Sequence, residues 1–277
     1  MTFGIDTFIT AEGSTPTALA IALEERSFDA LLLTEHSHIP VRRESPWGGG
    51  DVLPDVYYRT FDPFVALAAA ASVTTTLWLG TAVALVPQRD VIHLAKEVAT
   101  LDHVSGGRAL LGVGGGWNVE EMRNHGVDPA TRGRLLNEKL AALREIWTKD
   151  QAEFHGELVD FDPIYAWPKP VQRPHPPIYV GGESRAALDR LVRFGNGWLP
   201  RARTTTPEKL RTVVAWFAEQ GRADIRTTFC GAGLDRDLVA GVLEAGADRV
   251  TFTMPTAPQD EALRWLDELA EFVSEFR

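Results

Sequence analysis

Residues 101–118 read LDHVSGGRALLGVGGGWN, and the reading of this stretch decides the fold. A helix-like run, HLAKEVATLDHV, stops at Ser105-Gly106-Gly107, because glycine takes the positive φ angles that a helix C-terminus needs. Leu110, Leu111 and Val113 then form a short buried strand, which opens into Gly114, Gly115 and Gly116, followed by Trp117 and Asn118. Glycines cost conformational entropy. Three of them at the C-terminal end of a strand point to a ligand or another backbone approaching closely there, with a tight turn and no ligand as the competing reading.

The same order of strand and helix recurs on both sides of this stretch. Strands are predicted at residues 3–8, 30–35, 78–84, 109–113, 177–181, 197–200, 226–230 and 249–254. Helices are predicted at 15–26, 64–73, 91–103, 132–147, 185–193, 207–221, 235–245 and 260–276. Such alternation implies a parallel sheet, and eight strands each followed by a helix is the count that closes an α/β TIM (β/α)8 barrel. An open, doubly wound sheet is the alternative topology. No internal repeat and no Pro/Gly-rich linker divides residues 1–277, so a single domain is expected. Two connections are long: 36–62 after strand 2, and the aromatic- and proline-rich 150–176 before strand 5. Long loops of this kind commonly cover functional sites.

A hydrophobic fraction of 44% and a charged fraction of 24% are ordinary for a soluble globular protein. Lysine plus arginine number 28 against 38 aspartates and glutamates, a net charge of −10, which is the wrong sign for a nucleic-acid binder. Anionic ligands would have to be held locally, by backbone amides and a few arginines. Met1 leads directly into TFGIDTFI with no basic leader, and no apolar run has the length of a membrane span. A cytoplasmic protein without membrane partners is expected. The one cysteine, Cys230, excludes an internal disulfide and a cysteine metal cluster; its setting, TTFCGAG, is that of a packed strand residue.

On a barrel, the strand ends gather chemistry at the C-terminal rim. Asp6 and Phe8 come from strand 1, Glu35 and His36 from strand 2, residues 82–85 from strand 3, Gly114 to Asn118 from strand 4, and Gly181, Gly182, Glu183 and Ser184 from strand 5. IYVGGES followed by RAALDRLVRF is strand, glycine turn and helix. Its helix N-terminus suits a phosphate, or Ser184 is simply the N-cap. Neither glycine cluster fits the dinucleotide fingerprint, and neither a P-loop nor a G-x-S-x-G elbow occurs. Glu35 and His36 end the apolar ALLLTEH, where an unpaired buried charge is costly, so the pair is expected to face a cavity. His36 can carry a proton near neutral pH, or it only satisfies a structural hydrogen bond. His38 adds no third ligand at a recognisable spacing, and no metal is expected.

The stretches LLLTEHSHIP, YYRTFDPFVALAAAASVT, LGTAVALVPQRD, HLAKEVATLDHVSGGRALLGVGGGWNVEEMRNHGVD, FHGELVDFD, WPKPVQRPHPPIYVGGES and FGNGWLP together resemble the luciferase-like monooxygenase superfamily, in particular its branch that uses the deazaflavin coenzyme F420. The resemblance is strong over 30–200 and looser beyond. It implies a TIM barrel, usually a homodimer, with the coenzyme across the C-terminal rim and a small-molecule substrate. It implies a non-proline cis peptide at Ala82-Val83, with Ala82, Val83 and Ala84 beneath the coenzyme ring. It places His36 as proton donor beside Glu35, Gly115, Gly116 and Asn118 along the coenzyme's linker with Trp117 touching a ligand, and Gly181 to Ser184 at the phosphate. A glutamate that some family dehydrogenases use as a second acid/base aligns near Trp117, and its replacement argues against sugar-phosphate oxidation. Arg42, Arg43, Arg185 or Arg203 would meet the acidic tail of F420. The expected activity is hydride transfer between F420 and a small organic substrate; the alternatives are an FMN-dependent monooxygenase and a cofactor-binding barrel without turnover.

Overall fold

All eight predicted strands form, and each pairs in parallel with its neighbours. In the computed structural model, which describes residues 2–277, they are β1 (Thr2–Thr7), β2 (Ala30–Leu33), β3 (Trp78–Thr81), β4 (Ala109–Val113), β7 (Ile178–Gly181), β8 (Gly197–Leu199), β9 (Arg226–Ala232) and β10 (Arg249–Thr253). The barrel closes where β10 meets β1, from Thr2 opposite Arg249 to Asp6 opposite Thr253. Closure establishes the TIM barrel and excludes the open sheet. Between β4 and β7 the chain makes an antiparallel hairpin, β5 (Gln151–His155) and β6 (Asp160–Tyr165), outside the barrel. The second long connection is therefore partly a hairpin, whose Phe154, Phe161 and Ile164 pack on the outer core.

The helices are α1 (Pro16–Glu25), α2 (Val56–Arg59), α3 (Pro63–Ala71), α4 (Val91–Val104), α5 (Val119–Asn124), α6 (Arg132–Thr148), α7 (Arg185–Phe194), α8 (Pro207–Glu219), α9 (Arg236–Glu244) and α10 (Gln259–Ser274). Their starts follow capping chemistry. Asp62 accepts from the amides of Phe64 and Val65, Asp90 from those of Ile92 and His93, and Asp235 from that of Leu238, each satisfying amides that have no partner within the helix. Pro63 and Pro207 occupy first-turn positions, where the missing N–H costs nothing.

Strand residues alternate between two cores. Ala30, Leu32, Leu110, Tyr179, Leu199 and Cys230 fill the barrel interior, while Leu31, Leu33, Leu79, Leu111 and Val180 face the helices. Burial pushes the Cys230 thiol up to about 12, with the nearby Asp6 adding to the effect, so it is a packed residue and not a nucleophile. Among the described residues, no helix is long and apolar enough to cross a membrane.

At the opposite end from the strand C-termini, Glu24 of α1 accepts hydrogen bonds from the amides of Thr75, Thr76 and Leu77 and from the Thr76 hydroxyl, pinning the approach to β3. Burial opposes its charge, but these bonds outweigh burial and bring its pKa from 4.5 to about 2. A carboxylate with a depressed folded-state pKa contributes stability above its unfolded value and loses it as pH falls through the folded one. Glu24→Ala should accordingly be less stable than wild type at pH 7, and the gap should close between pH 4.5 and about 2 in urea unfolding followed by circular dichroism.

Candidate active site

The C-terminal ends of the strands surround a cavity of about 480 Å³. Its floor includes Asp6, whose carboxylate accepts from the Gly231 amide and from the hydroxyls of Thr251 and Thr253. One wall is the segment after β3, where the Ala82-Val83 peptide is cis. The Val83 side chain occupies the space that a Cβ would need at two glycines: one added to Gly114 would lie 2.5 Å from Val83 Cγ2, and one added to Gly181 2.9 Å from Cγ1. These two glycines make room for a side chain of the protein itself. Gly115 differs, since a Cβ there meets nothing within 4 Å and would project into open space. Gly116 has a φ of +78° and Gly182 of +104°, conformations that suit only glycine well.

Glu35 and His36, though adjacent, are bound to different partners. Glu35 accepts from the Leu85 amide and from Arg89 Nε, both at 2.6 Å. Arg89 also pairs with Asp62 at 2.6 Å and Glu97 at 2.9 Å. Burial works against the Arg89 charge, and Glu35 and Asp62 more than compensate, raising its pKa. Both Glu35 oxygens are engaged, so its role is to hold the segment after β3. His36, 6% exposed, donates from Nδ1 to Oε2 of the fully buried Glu121 at 2.8 Å. Its Nε2 accepts the indole N–H of Trp117 at 3.2 Å. This pattern fixes a neutral ring with its proton on Nδ1 and its lone pair on Nε2.

Glu121 Oε1 accepts from the Ser37 amide at 3.1 Å. The Ser37 hydroxyl contacts His125 Nε2 at 2.6 Å and His38 Nδ1 at 2.9 Å, and His38 Nε2 meets the Asn124 amide at 2.8 Å. Burial, then the neighbouring His38, lowers the pKa of His125. The cavity's outer wall comes from the long connection after β2. Trp47 donates its indole N–H to the Tyr57 hydroxyl at 3.0 Å, and the Tyr57 ring lies 5.2 Å from that of His36. Arg201 and Arg203 line the cavity, and the Arg43 guanidinium sits 5.4 Å from the centre of the Trp117 ring.

A profile of the luciferase-like monooxygenase family matches residues 5–235. The chain belongs to this family. An uncharacterised protein of Mycobacterium tuberculosis is 40% identical over 279 residues, covering 98% of each chain. The FMNH2-dependent dimethylsulfone monooxygenase of Pseudomonas putida is 43% identical over 105 residues, which is 37% of this chain and 29% of its own. The solved structure of an F420-dependent secondary alcohol dehydrogenase, in complex with an F420-acetone adduct, superposes with a TM-score of 0.76 over 100% of both chains at 16% identity, a likeness of fold.

In this luciferase-like chain the residues expected at the site divide in two. Glu35, His36, Ala82, Val83, Gly115, Gly116, Trp117, Gly181, Gly182 and Glu183 line the cavity. Ala84, Asn118 and Ser184 are not among its lining residues. Ala84 is fully buried and bonded on both sides to the β4 segment, through Gly112 O and Gly114 N. Asn118 is buried as N-cap of α5, accepting from the Glu121 amide, and Ser184 caps α7 by accepting from Ala187. The Glu183 carboxylate is taken by the Arg201 amide and the hydroxyls of Thr204 and Thr205. Of the four arginines considered, Arg203 lines the cavity and Arg43 borders it, whereas Arg185 stacks on Trp216 and pairs with Asp189.

Sequence reasoning missed Glu121, Trp47, Tyr57 and Arg201. Glu121 carried a usable sign: it stands three residues after the N-cap Asn118, the position of a capping-box glutamate. In the folded chain its carboxylate turns to His36 and Ser37.

The glycines give a paired test. At Gly112 a Cβ would lie 1.9 Å from the Thr81 carbonyl oxygen, so Gly112→Ala should lower the unfolding free energy by about 3 kcal/mol or more, the upper range for overpacking. Gly115→Leu should unfold within about 0.5 kcal/mol of wild type, as expected where nothing is displaced, yet abolish ligand binding by filling the cavity. Chemical denaturation and coenzyme titration of both variants check this.

Proposed function

We propose that this protein transfers a hydride between the deazaflavin coenzyme F420 and a small organic substrate, with His36 as the group that exchanges a proton with the substrate. The observation that carries the reading is the His36 ring, buried at the cavity wall, held by Glu121 through Nδ1 and offering a lone pair at Nε2. The ring is oriented by Glu121 to accept a proton at Nε2 once the Trp117 indole N–H gives way there, and Glu121 stabilises the imidazolium that results. Glu35 supports the reaction from behind, by holding Leu85 and Arg89 and with them the Ala82-Val83 wall.

The cavity fits a planar coenzyme. Bare backbone at Gly115 leaves space where any side chain would intrude, and Val83 presents an apolar edge above Gly114 and Gly181. When bound, a deazaflavin supplies hydride chemistry without oxygen activation, while the protein supplies orientation, a proton acceptor and exclusion of water. Arg43, Arg201 and Arg203 at the cavity and its border would meet an acidic tail in a protein whose net charge is −10. A second reading, reduced FMN and a monooxygenase reaction, is favoured by the 43% identical segment shared with the Pseudomonas putida enzyme.

Titration with each coenzyme separates the two. F420 should bind at least about tenfold more tightly than FMN, a difference of about 1.4 kcal/mol; equal or reversed affinities transfer the assignment to the flavin reading. In the F420-loaded enzyme, His36→Asn should lower single-turnover rates by about 100-fold to 10,000-fold, the usual contribution of general acid–base catalysis, and leave coenzyme affinity nearly unchanged. Retention of wild-type turnover and pH profile in this variant would remove His36 from the proton route.

A further inference from the structure

A second cavity, of about 330 Å³, shares Glu35 and His36 with the first and reaches Ser37 and His125. Beside it runs a chain of hydrogen bonds in which each donor meets an acceptor. Asn124 Nδ2 donates to His38 Nε2 at 2.8 Å, which leaves the proton of a neutral His38 ring on Nδ1. His38 Nδ1 then donates to the Ser37 hydroxyl oxygen at 2.9 Å, and the hydroxyl proton is free for His125 Nε2 at 2.6 Å. Ser37 Oγ also lies 3.4 Å from Oε1 of Glu121, long for a hydroxyl bond, while the Ser37 amide holds the same oxygen at 3.1 Å. The other carboxylate oxygen, Oε2, meets His36 Nδ1 at 2.8 Å. Glu121 is fully buried, whereas Ser37 and His125 are exposed. Burial and then the neighbouring His38 hold His125 below the ordinary histidine value, with Arg89 acting the same way and Glu121 and Glu35 opposing, so that it stands neutral near pH 7.

We propose that Glu121, Ser37 and His125 relay protons between Nδ1 of His36 and solvent. The proposal rests on the reading of His36 as the group that exchanges a proton with the substrate, and it assigns the route by which that charge leaves. An occupant of the first cavity closes the Nε2 side of the ring to water, so only the Nδ1 side leads out. A proton accepted at Nε2 makes an imidazolium, whose Nδ1 proton passes to Glu121 Oε2. A half-turn of the neutral carboxyl group carries it to Ser37 Oγ. Ser37 accepts it as its own hydroxyl proton goes to His125 Nε2, and His125 releases its Nδ1 proton to water. When the first cavity reopens, Nε2 gives its proton to water and Nδ1 is reprotonated by the reverse route. His38, by donating to Ser37, keeps the hydroxyl proton turned to His125.

The relay is tested on the coenzyme-free protein, through exchange of the His36 Nδ1 proton with water. Proton–nitrogen NMR of histidine-labelled protein reads it, with the signal assigned by its loss in His36→Asn. Ser37→Thr and Ser37→Val place a hydroxyl against a methyl at nearly the same volume. The threonine variant should exchange at the wild-type rate and the valine variant about 100-fold more slowly, the lower end of what a positioned proton-transfer group contributes. His125→Ala should also slow exchange, and imidazole added to the buffer should restore it in proportion to its concentration. A packing role alone has the opposite signature, since local loosening speeds the exchange of a buried proton. Equal exchange in the threonine and valine variants, unchanged or faster exchange in His125→Ala, or slowing there that imidazole does not relieve, overturns the proposal. Neither coenzyme nor substrate enters the measurement, so the relay can fail while coenzyme titration and His36→Asn turnover uphold hydride transfer, and the reverse.

Discussion

The partly buried guanidinium of Arg89 is the contact on which the site depends. It joins Glu35 at the end of β2, Asp62 at the N-cap of α3 and Glu97 within α4, and it stacks 4.6 Å from the centre of the Phe64 ring. From the other side, Lys139 of α6 reaches in to donate to the carbonyls of Val86, Pro87 and Arg89. Burial lowers the Lys139 pKa to about 8. A buried ion pair contributes little net stability over an apolar replacement, but breaking one half of it is costly. Its value here is geometric. Two cations hold residues 85–89 in one place, and residues 82 and 83, immediately before them, form the cavity wall.

Rigidity at this wall propagates through the glycines. Val83 can lie over β4 and β7 only because Gly114 and Gly181 carry no side chain, and β3 and β4 approach closely only because Gly112 leaves room at the Thr81 carbonyl. The glycine run after β4 thus performs two different tasks. Gly114 accommodates the protein's own side chain, and Gly115 leaves the cavity open. The aromatic cover is built separately, on the long connection after β2, with Trp47 tied to Tyr57 and Tyr57 packed against both His36 and Phe8. Catalytic enzymes of this barrel architecture commonly divide labour in this way, with rigid strand ends carrying the chemistry and loops shaping the pocket.

The barrel was legible because buried parallel strands read as short apolar runs and amphipathic helices as longer periodic ones, so that all eight strand positions emerged from patterning alone. Short elements were not. The four residues of α2 and six of α5 carry too few turns for periodicity to register, and β5 with β6 lies in a segment whose prolines and aromatics read as loop. The partners of Glu35 and His36 were out of reach for another reason: Arg89 stands 54 positions from Glu35, and Glu121 stands 85 from His36. Only the closed sheet brings them together. Ala84, Asn118 and Ser184 came to the coenzyme through the family resemblance; in the fold the Ala84 backbone is bonded to the β4 segment, and Asn118 Oδ1 and Ser184 Oγ cap helices, while Asn118 Nδ2 is buried without a partner among the described residues.

The contrast between Glu35 and His36 shows why adjacency in sequence is a weak guide to shared chemistry. Successive residues leaving a strand point to different sides, so one carboxylate turns toward the helical layer and meets Arg89 while the next side chain turns toward α5 and Trp117. With one oxygen on the Leu85 amide and the other on Arg89, Glu35 anchors a wall. Glu121 then supplies what Glu35 cannot, a negative charge in line with the imidazole and fixed in turn by the Ser37 amide. The carboxylate that orients the imidazole comes from a helix start on a different strand end, and this leaves the Nε2 side of His36 directed to Trp117. Chemistry at this rim is therefore set by how β2, β3 and β4 are held side by side, and the Arg89 cluster is what holds the middle one.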